Sequence, residues 1–269
     1  MSDAPPHDTP LTGWADVLES PAAYADFPGM QPPAVRVYQQ TASTQDLARQ
    51  RSGGWFVALA DEQTAGRGRL GRAWVAPPGS AVLMSMRWPC VVESSSLDTI
   101  AYRVAVAVAE TAERFLAGTS HTVRIKWPND ILVDGRKLAG ILIERANDAA
   151  VIGIGFNVSM VEPDLAGLPE ELAGRITSLA MLGRPTDRLP VAAALIGRCY
   201  THLSSPHEEM LLEEWRCRSP LGYDARFRSG GEEIAGNVID LDPNLGLIIR
   251  RDSGEIVHLP AATTTVLID

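Results

Sequence analysis

Four strand-like segments follow one another at 123–127, 131–133, 137–144 and 151–158. Asp134-Gly135 stands between two of them and is a hairpin signal, because both residues tolerate the positive φ that a tight two-residue turn demands. Upstream, 35–38, 55–60 and 81–88 also read as strands, and 97–116 is the clearest helix, rich in Ala and apolar along one side. Strand, helix and then a run of hairpin-linked strands is the order of an α+β domain, here with a mostly antiparallel mixed sheet and helices on one face. Two further helices are expected at 190–203 and 207–216. Pro220 marks a break. After it come short strands split by Gly230-Gly231, Pro243-Asn244 and Ser253-Gly254, the pattern of a small β-barrel.

These breaks divide the chain into an N-terminal extension (1–34), a main domain (35–218) and the small barrel (219–269). The extension is rich in Pro and Ala, with five acids (Asp3, Asp8, Asp16, Glu19, Asp26) and no Lys or Arg. It reads as loose, with at most a short helix near 14–18. Ser43-Thr44-Gln45-Asp46 reads as a capping box opening a helix through Arg51.

Hydrophobic residues make up 45% of the chain, enough for a packed core, and no apolar run has the length of a bilayer span. The first ten residues lack the basic patch and apolar run of a secretory signal. Cys90, Cys199 and Cys217 are far apart and give neither a zinc spacing nor a disulfide framework. A reducing, cytoplasmic setting is expected, with each as a small core residue. A net charge of -9 argues against a protein that coats nucleic acid.

The use of positive charge says more. Of 24 Lys plus Arg only two are lysine, Lys126 and Lys137, and both fall in one short stretch. A compact, rotatable ammonium differs from the broad planar fork of arginine, so these two positions are candidates for a task arginine cannot perform. Alternation puts Arg124 and Lys126 on one strand face and Ile125 on the other. Pro128 ends that strand and leaves Asn129 and Asp130 at its rim; a plain polar edge strand is the alternative. Lys137 opens an otherwise apolar strand. Gly140 within that strand, and Gly153 and Gly155 in the next, mark places where another group approaches the sheet.

Gly66-Arg67-Gly68-Arg69-Leu70-Gly71 fits the spacing of a dinucleotide fingerprint, but Pro77-Pro78-Gly79 forbids the helix that motif requires. A Walker loop and the kinase motifs H-R-D and D-F-G are also missing from the sequence. Every charged residue between Gln63 and Val92 is nonetheless positive: Arg67, Arg69, Arg72 and Arg87. Arginine forks on a glycine backbone suit phosphate or carboxylate, although a solvated basic turn is the bland alternative. The glycines also predict a loop of low local stability, without a fixed place until ligand binds. His7, His121, His202, His207 and His258 are scattered and read as surface residues. With no nucleophilic Ser or Cys constellation, the set suits phosphoryl or nucleotidyl chemistry performed by positioning and charge.

These residues closely resemble the biotin protein ligase family. The resemblance rests on Ser43-Thr44-Gln45, the stretch from Gln63 through Arg72, Lys126-Trp127-Pro128-Asn129-Asp130, Arg136-Lys137-Leu138-Ala139-Gly140-Ile141-Leu142 and Gly153-Ile154-Gly155-Phe156-Asn157, in the family's order, and runs from about residue 35 to the end. One departure is Gln45, where many members carry Asn.

The resemblance implies a class II synthetase-like catalytic domain with an SH3-like C-terminal barrel. It implies ATP-dependent ligation of biotin to a lysine of a biotin carboxyl carrier domain through biotinyl-5'-AMP, with magnesium on the phosphates. It further implies that Ser43, Thr44, Gln45, Gln63, Arg67, Gly68, Arg69, Lys137 and Gly140 hold biotin. Arg69, Arg72, Trp74, Lys126, Asn129, Asp130 and Asn157 would hold ATP, and Lys137, Arg69 and Asp130 would carry the catalysis. A monomer or weak dimer is expected. DNA binding is not, because the acidic first 34 residues leave no room for the winged helix of the family's repressors. A lipoyl or octanoyl transferase is the nearest enzymatic rival, and a sensor that binds without turnover the non-enzymatic one.

Overall fold

The computed structural model describes residues 11–89, 96–146, 148–167 and 173–267. Seven strands form the main sheet: β1 (Ala34–Thr41), β2 (Phe56–Gln63), β3 (Ala81–Pro89), β4 (Val123–Lys126), β5 (Asp130–Val133), β6 (Arg136–Ala146) and β7 (Ala149–Asn157). Their order is β1-β2-β3-β7-β6-β5-β4. β1 and β2 run parallel and every other neighbouring pair antiparallel. The sheet is therefore mixed, as expected. Asp134 (φ 49) and Gly135 (φ 80) both adopt positive φ between β5 and β6, as the turn signal requires.

A second sheet holds β8 (Asp224–Ser229), β9 (Glu232–Asp242), β10 (Gly246–Arg250), β11 (Ile256–Leu259) and β12 (Thr264–Leu267), in the order β11-β10-β9-β8-β12 and antiparallel throughout. Gly230 and Gly231, both at positive φ, form the β8–β9 turn.

The helices are α1 (Trp14–Leu18), α2 (Thr44–Gln50), α3 (Leu97–Phe115), α4 (Arg188–Ser204) and α5 (Glu208–Arg218). α3 buries Ile100, Val104, Ala105 and Val108 in one core with Val57, Leu59, Met84, Ile152 and Ile154 of the sheet and Val191 and Leu195 of α4. Each large aliphatic side chain so enclosed contributes about 1.5–3 kcal/mol.

Two expectations change. Helices do not lie on one face alone: Ala48 of α2 packs with Phe56, Ala58 and Val151, which alternate with the core residues and so face the other way. Residues 11–33 are also not loose. Trp14, Leu18, Tyr24 and Met30 are buried in the main core, the Glu19 carboxylate accepts from the Val35 N–H at 2.7 Å, and the Arg188 guanidinium lies over the Trp14 ring. Four large apolar side chains anchor a segment whose charge and proline content masked them.

Candidate active site

The face of the sheet opposite the main core forms the floor of a cleft of about 900 Å³. On β7 the core-facing Ile152, Ile154 and Phe156 alternate with Gly153 and Gly155. Gly155 pairs with Gly140 of β6, while Gly153 lies between Leu142 of β6 and Ser85 of β3. A Cβ at Gly140 would stand 2.6 Å from the Trp74 ring and 3.0 Å from Lys137 Cε, and one at Gly153 would stand 2.7 Å from Gln45 Oε1. The glycines clear the floor for these side chains.

Lys137 follows the β5–β6 turn. Its backbone N–H donates to the Arg175 carbonyl at 2.7 Å, and its own carbonyl accepts from Thr177 N–H at 2.9 Å. With the backbone clamped on a short parallel bridge to Ile176, the ammonium enters the cleft and meets Asp130 Oδ1 at 2.6 Å, 5.2 Å from the centre of the Trp74 ring. A bulge between Ile131 and Leu132 sets the β5–β6 register so that Asp130 stands opposite Gly140. The two residues singled out separately in the sequence thus form one ion pair, open to water on one side.

The arginine loop closes one wall. It is seated rather than without a fixed place: Gly68 N–H donates to the Arg72 carbonyl at 2.7 Å and Trp74 N–H to the Gly66 carbonyl at 2.9 Å, forming a hairpin with Leu70 and Gly71 at positive φ. The Arg67 fork holds both oxygens of Asp46, at 2.6 and 3.1 Å, and this hydrogen bonding raises its pKa above the ordinary value. Arg69 donates to Asn129 Oδ1 at 3.3 Å, to the Thr264 carbonyl at 2.7 Å and to the Ala261 carbonyl. Burial pulls the Arg69 pKa down, with Arg72 adding to the effect and Asp130 and Asp98 opposing it; a guanidinium remains cationic through such a shift. The reason for the seating is that these forks find acceptors within the chain itself.

Deeper in, the floor is polar. Thr44 N–H donates to Gln63 Oε1 at 2.8 Å, and Gln45 Nε2 donates to the Val151 carbonyl at 3.1 Å. The capping box is not formed: Ser43 is the residue before α2, but its hydroxyl makes no cap hydrogen bond and is buried without a partner beside the cleft. A buried, unsatisfied hydroxyl costs free energy, so its place on the wall favours a ligand that supplies the missing partner.

Of the residues expected to hold ligand, all but Asn157 line this cleft. Asn157 is buried behind the wall and donates to the Thr177 carbonyl at 3.0 Å, bracing the segment that clamps Lys137. Among the lining residues that escaped the sequence reading are Arg175 and Ser85. Arg175 carried no signal. Ser85 did: it is a hydroxyl between Met84 and Met86, the one polar side chain in the run from Ala81 to Met86. Elsewhere, His202 is not a surface residue but lies buried 3.2 Å from Glu110, and Cys217 is exposed rather than in the core, unlike buried Cys199. His7 and Cys90 fall outside the described residues.

Residues 35–157 match the model of the biotin/lipoate A/B protein ligase family. The chain is 32% identical to the biotin–acetyl-CoA-carboxylase ligase of Mycobacterium tuberculosis over 250 residues, covering 83% of this chain and 88% of that protein. It is also 32% identical to the ligase of the same name from Paracoccus denitrificans, covering 84% and 96%. The biotin protein ligase of Aquifex aeolicus, solved with biotin and ATP, shares the fold with a TM-score of 0.75 at 24% identity, covering 87% of this chain and 99% of that one. Lysine, arginine loop and glycine-cleared floor, found together in a chain this similar to two ligases over most of its length, make it a member of the biotin protein ligase family.

Proposed function

We propose that this chain ligates biotin to a lysine of a biotin carboxyl carrier domain, using ATP and passing through biotinyl-5'-AMP. The observation that carries the reading is the convergence of Lys137, Asp130 and the Arg67–Arg69 loop over a polar floor. In the first step a biotin carboxylate oxygen attacks the α-phosphorus, the bond to the bridging oxygen breaks, and pyrophosphate leaves. Both reactants are anions, and unit charges 4 Å apart repel by about 4 kcal/mol at an effective dielectric near 20. Lys137 Nζ, a point cation, is suited to bridge a carboxylate oxygen and an α-phosphate oxygen at once, with Arg69 adding charge. Arg72, Trp74, Lys126 and Asn129 line the nucleotide side in this reading.

In the second step the carrier's amine attacks the mixed anhydride carbonyl, an amide forms and AMP departs. Asp130, already paired with one ammonium, is the acid placed to steer another and help remove its proton. Magnesium enters with the nucleotide phosphates. Among the described residues no group of three or more His, Cys, Asp and Glu gathers to hold a metal, which suits an ion carried by its substrate.

We read the second sheet as an SH3-like barrel, on an antiparallel meander of β8 to β11 to which β12 returns beside β8. We read the main domain as class II synthetase-like. Net charge of -9 supports a protein that leaves duplex DNA alone, and the scattered thiols, without a disulfide framework, support a cytoplasmic setting. The test is direct: incubate the protein with ATP, magnesium, biotin and a carrier domain, and weigh the carrier. A mass gain of one biotin less one water is expected, and lost on replacing the carrier's lysine. An unchanged carrier overturns the reading.

A further inference from the structure

Ser85 is 1% exposed, yet its hydroxyl stands within hydrogen-bond distance of two site residues: Gln45 Oε1 at 2.9 Å and Thr44 Oγ1 at 2.8 Å. The direction of these bonds follows from proton counting. Gln45 Nε2 is fixed as the amide's donor end, because it faces the Val151 carbonyl at 3.1 Å and the Leu142 carbonyl at 3.5 Å, and carbonyls only accept. Gln45 Oε1 must then accept, so the Ser85 proton goes to it. Having spent that single proton, Ser85 can only accept from Thr44. Gln63 Oε1 is the other acceptor within reach of the Thr44 proton, but at 3.1 Å against 2.8 Å to Ser85, and it already accepts the Thr44 backbone N–H at 2.8 Å. Reversing the chain would leave the buried Gln45 oxygen without its donor, at the cost of an unmet acceptor.

We propose that Ser85 is a positioning and specificity-determining residue, which through Gln45 fixes the Thr44 hydroxyl as an acceptor toward the cleft. The inference rests on the functional reading above. Thr44 then offers lone pairs and no proton, and the group it welcomes is a ring N–H. A cyclic urea supplies one; the ring of a dithiolane acid supplies only sulfur. The presence of Gln at position 45 fits this role, because the amide spans from the β6 and β7 carbonyls to Ser85 across the space left by Gly153. Ser85 touches no reacting atom; it acts by setting where one proton points.

The experiment compares Ser85→Ala, Ser85→Thr and the parent enzyme in acid-dependent pyrophosphate release, with biotin, desthiobiotin and lipoate as substrates. Desthiobiotin keeps the urea and lacks the sulfur ring. Ser85→Ala should raise KM for biotin and desthiobiotin in parallel, roughly tenfold as for the loss of one buried hydrogen-bond orientation. KM for ATP and kcat should stay within about twofold on the same grounds, and the preference over lipoate should shrink. Ser85→Thr, which keeps the hydroxyl, should stay near the parent, and this variant carries the test if Ser85→Ala melts well below the parent. A biotin KM unchanged in Ser85→Ala overturns the inference, as does a loss for biotin that spares desthiobiotin, the mark of simple packing. A parent enzyme that releases no pyrophosphate with biotin instead overturns the functional reading, and this inference with it.

Discussion

The two faces of β7 carry opposite kinds of residue within one nine-residue strand. Ile152, Ile154 and Phe156 point into the main core, where they are all but fully buried against other apolar side chains. Gly153 and Gly155 point into the cleft and contribute no side chain at all, which leaves Gln45 and Trp74 the space they occupy. One face gains stability from filled volume; the other gains function from volume withheld. Strong local consistency on the core side is what allows the cleft side to keep a buried hydroxyl without a partner and like-charged arginines side by side.

The difference can be sharpened by substitutions on each side. The largest effect belongs to Lys137→Ala: biotin-dependent pyrophosphate release should fall on the order of a thousandfold, as for the loss of a preorganised charge in an active site. Stability should change by no more than about 1 kcal/mol, since the Asp130 partner is reached by water. Lys137→Arg should rescue poorly. Stopped-flow phosphate detection and thermal melts read both.

Arg69→Gly comes next. It removes the links from the loop to Asn129 and to the Ala261 and Thr264 carbonyls, so the wall should open more readily. Biotin should bind roughly tenfold more weakly, as for a lost charge-assisted contact, and biotinyl-AMP should escape into solution. Equal affinity and no free adenylate by isothermal titration and chromatography would mean that the loop closes by other means.

The smallest effect lies on the core side. Burial pushes the Glu110 carboxyl up, but the hydrogen bond and charge of His202, together with Arg198 and Arg218, outweigh it and hold the folded pKa below the ordinary value. A carboxyl depressed on folding stabilises the protein at neutral pH, and that stabilisation fades as pH falls through the ordinary carboxylate range to the lowered folded pKa. Urea midpoints of the parent and Glu110→Gln should therefore differ near pH 7 and converge in acid. A constant gap would remove Glu110 from the account of acid stability.

Most of the strands, the Asp134-Gly135 turn and most of the polar residues that line the cleft were legible in the sequence, because each rests on a local signal: alternation, positive-φ residues, or a charge out of keeping with its surroundings. What was not legible depends on tertiary placement. The position of α2 on the cleft face follows from Ala48 meeting Phe56 and Val151, contacts that no periodicity encodes. The seating of residues 11–33 comes from four apolar side chains diluted among prolines and acids. The Lys137–Asp130 pair depends on a β-bulge, and the part played by Ser85 on a rotor chain across three elements.

The most direct test of this division takes two adjacent residues of β7, Ile154 on the core face and Gly155 on the cleft face, through the same pair of assays. Ile154→Ala should lose about 2–5 kcal/mol in chemical denaturation while its folded fraction releases pyrophosphate within a fewfold of the parent. Gly155→Ala should melt within about 1 kcal/mol of the parent, since the Trp74 ring can shift aside, yet lose activity roughly tenfold or more because the ring that Lys137 faces is displaced. If instead Gly155→Ala unfolds the protein, or Ile154→Ala abolishes turnover in molecules that remain folded, the two faces do not divide stability from function.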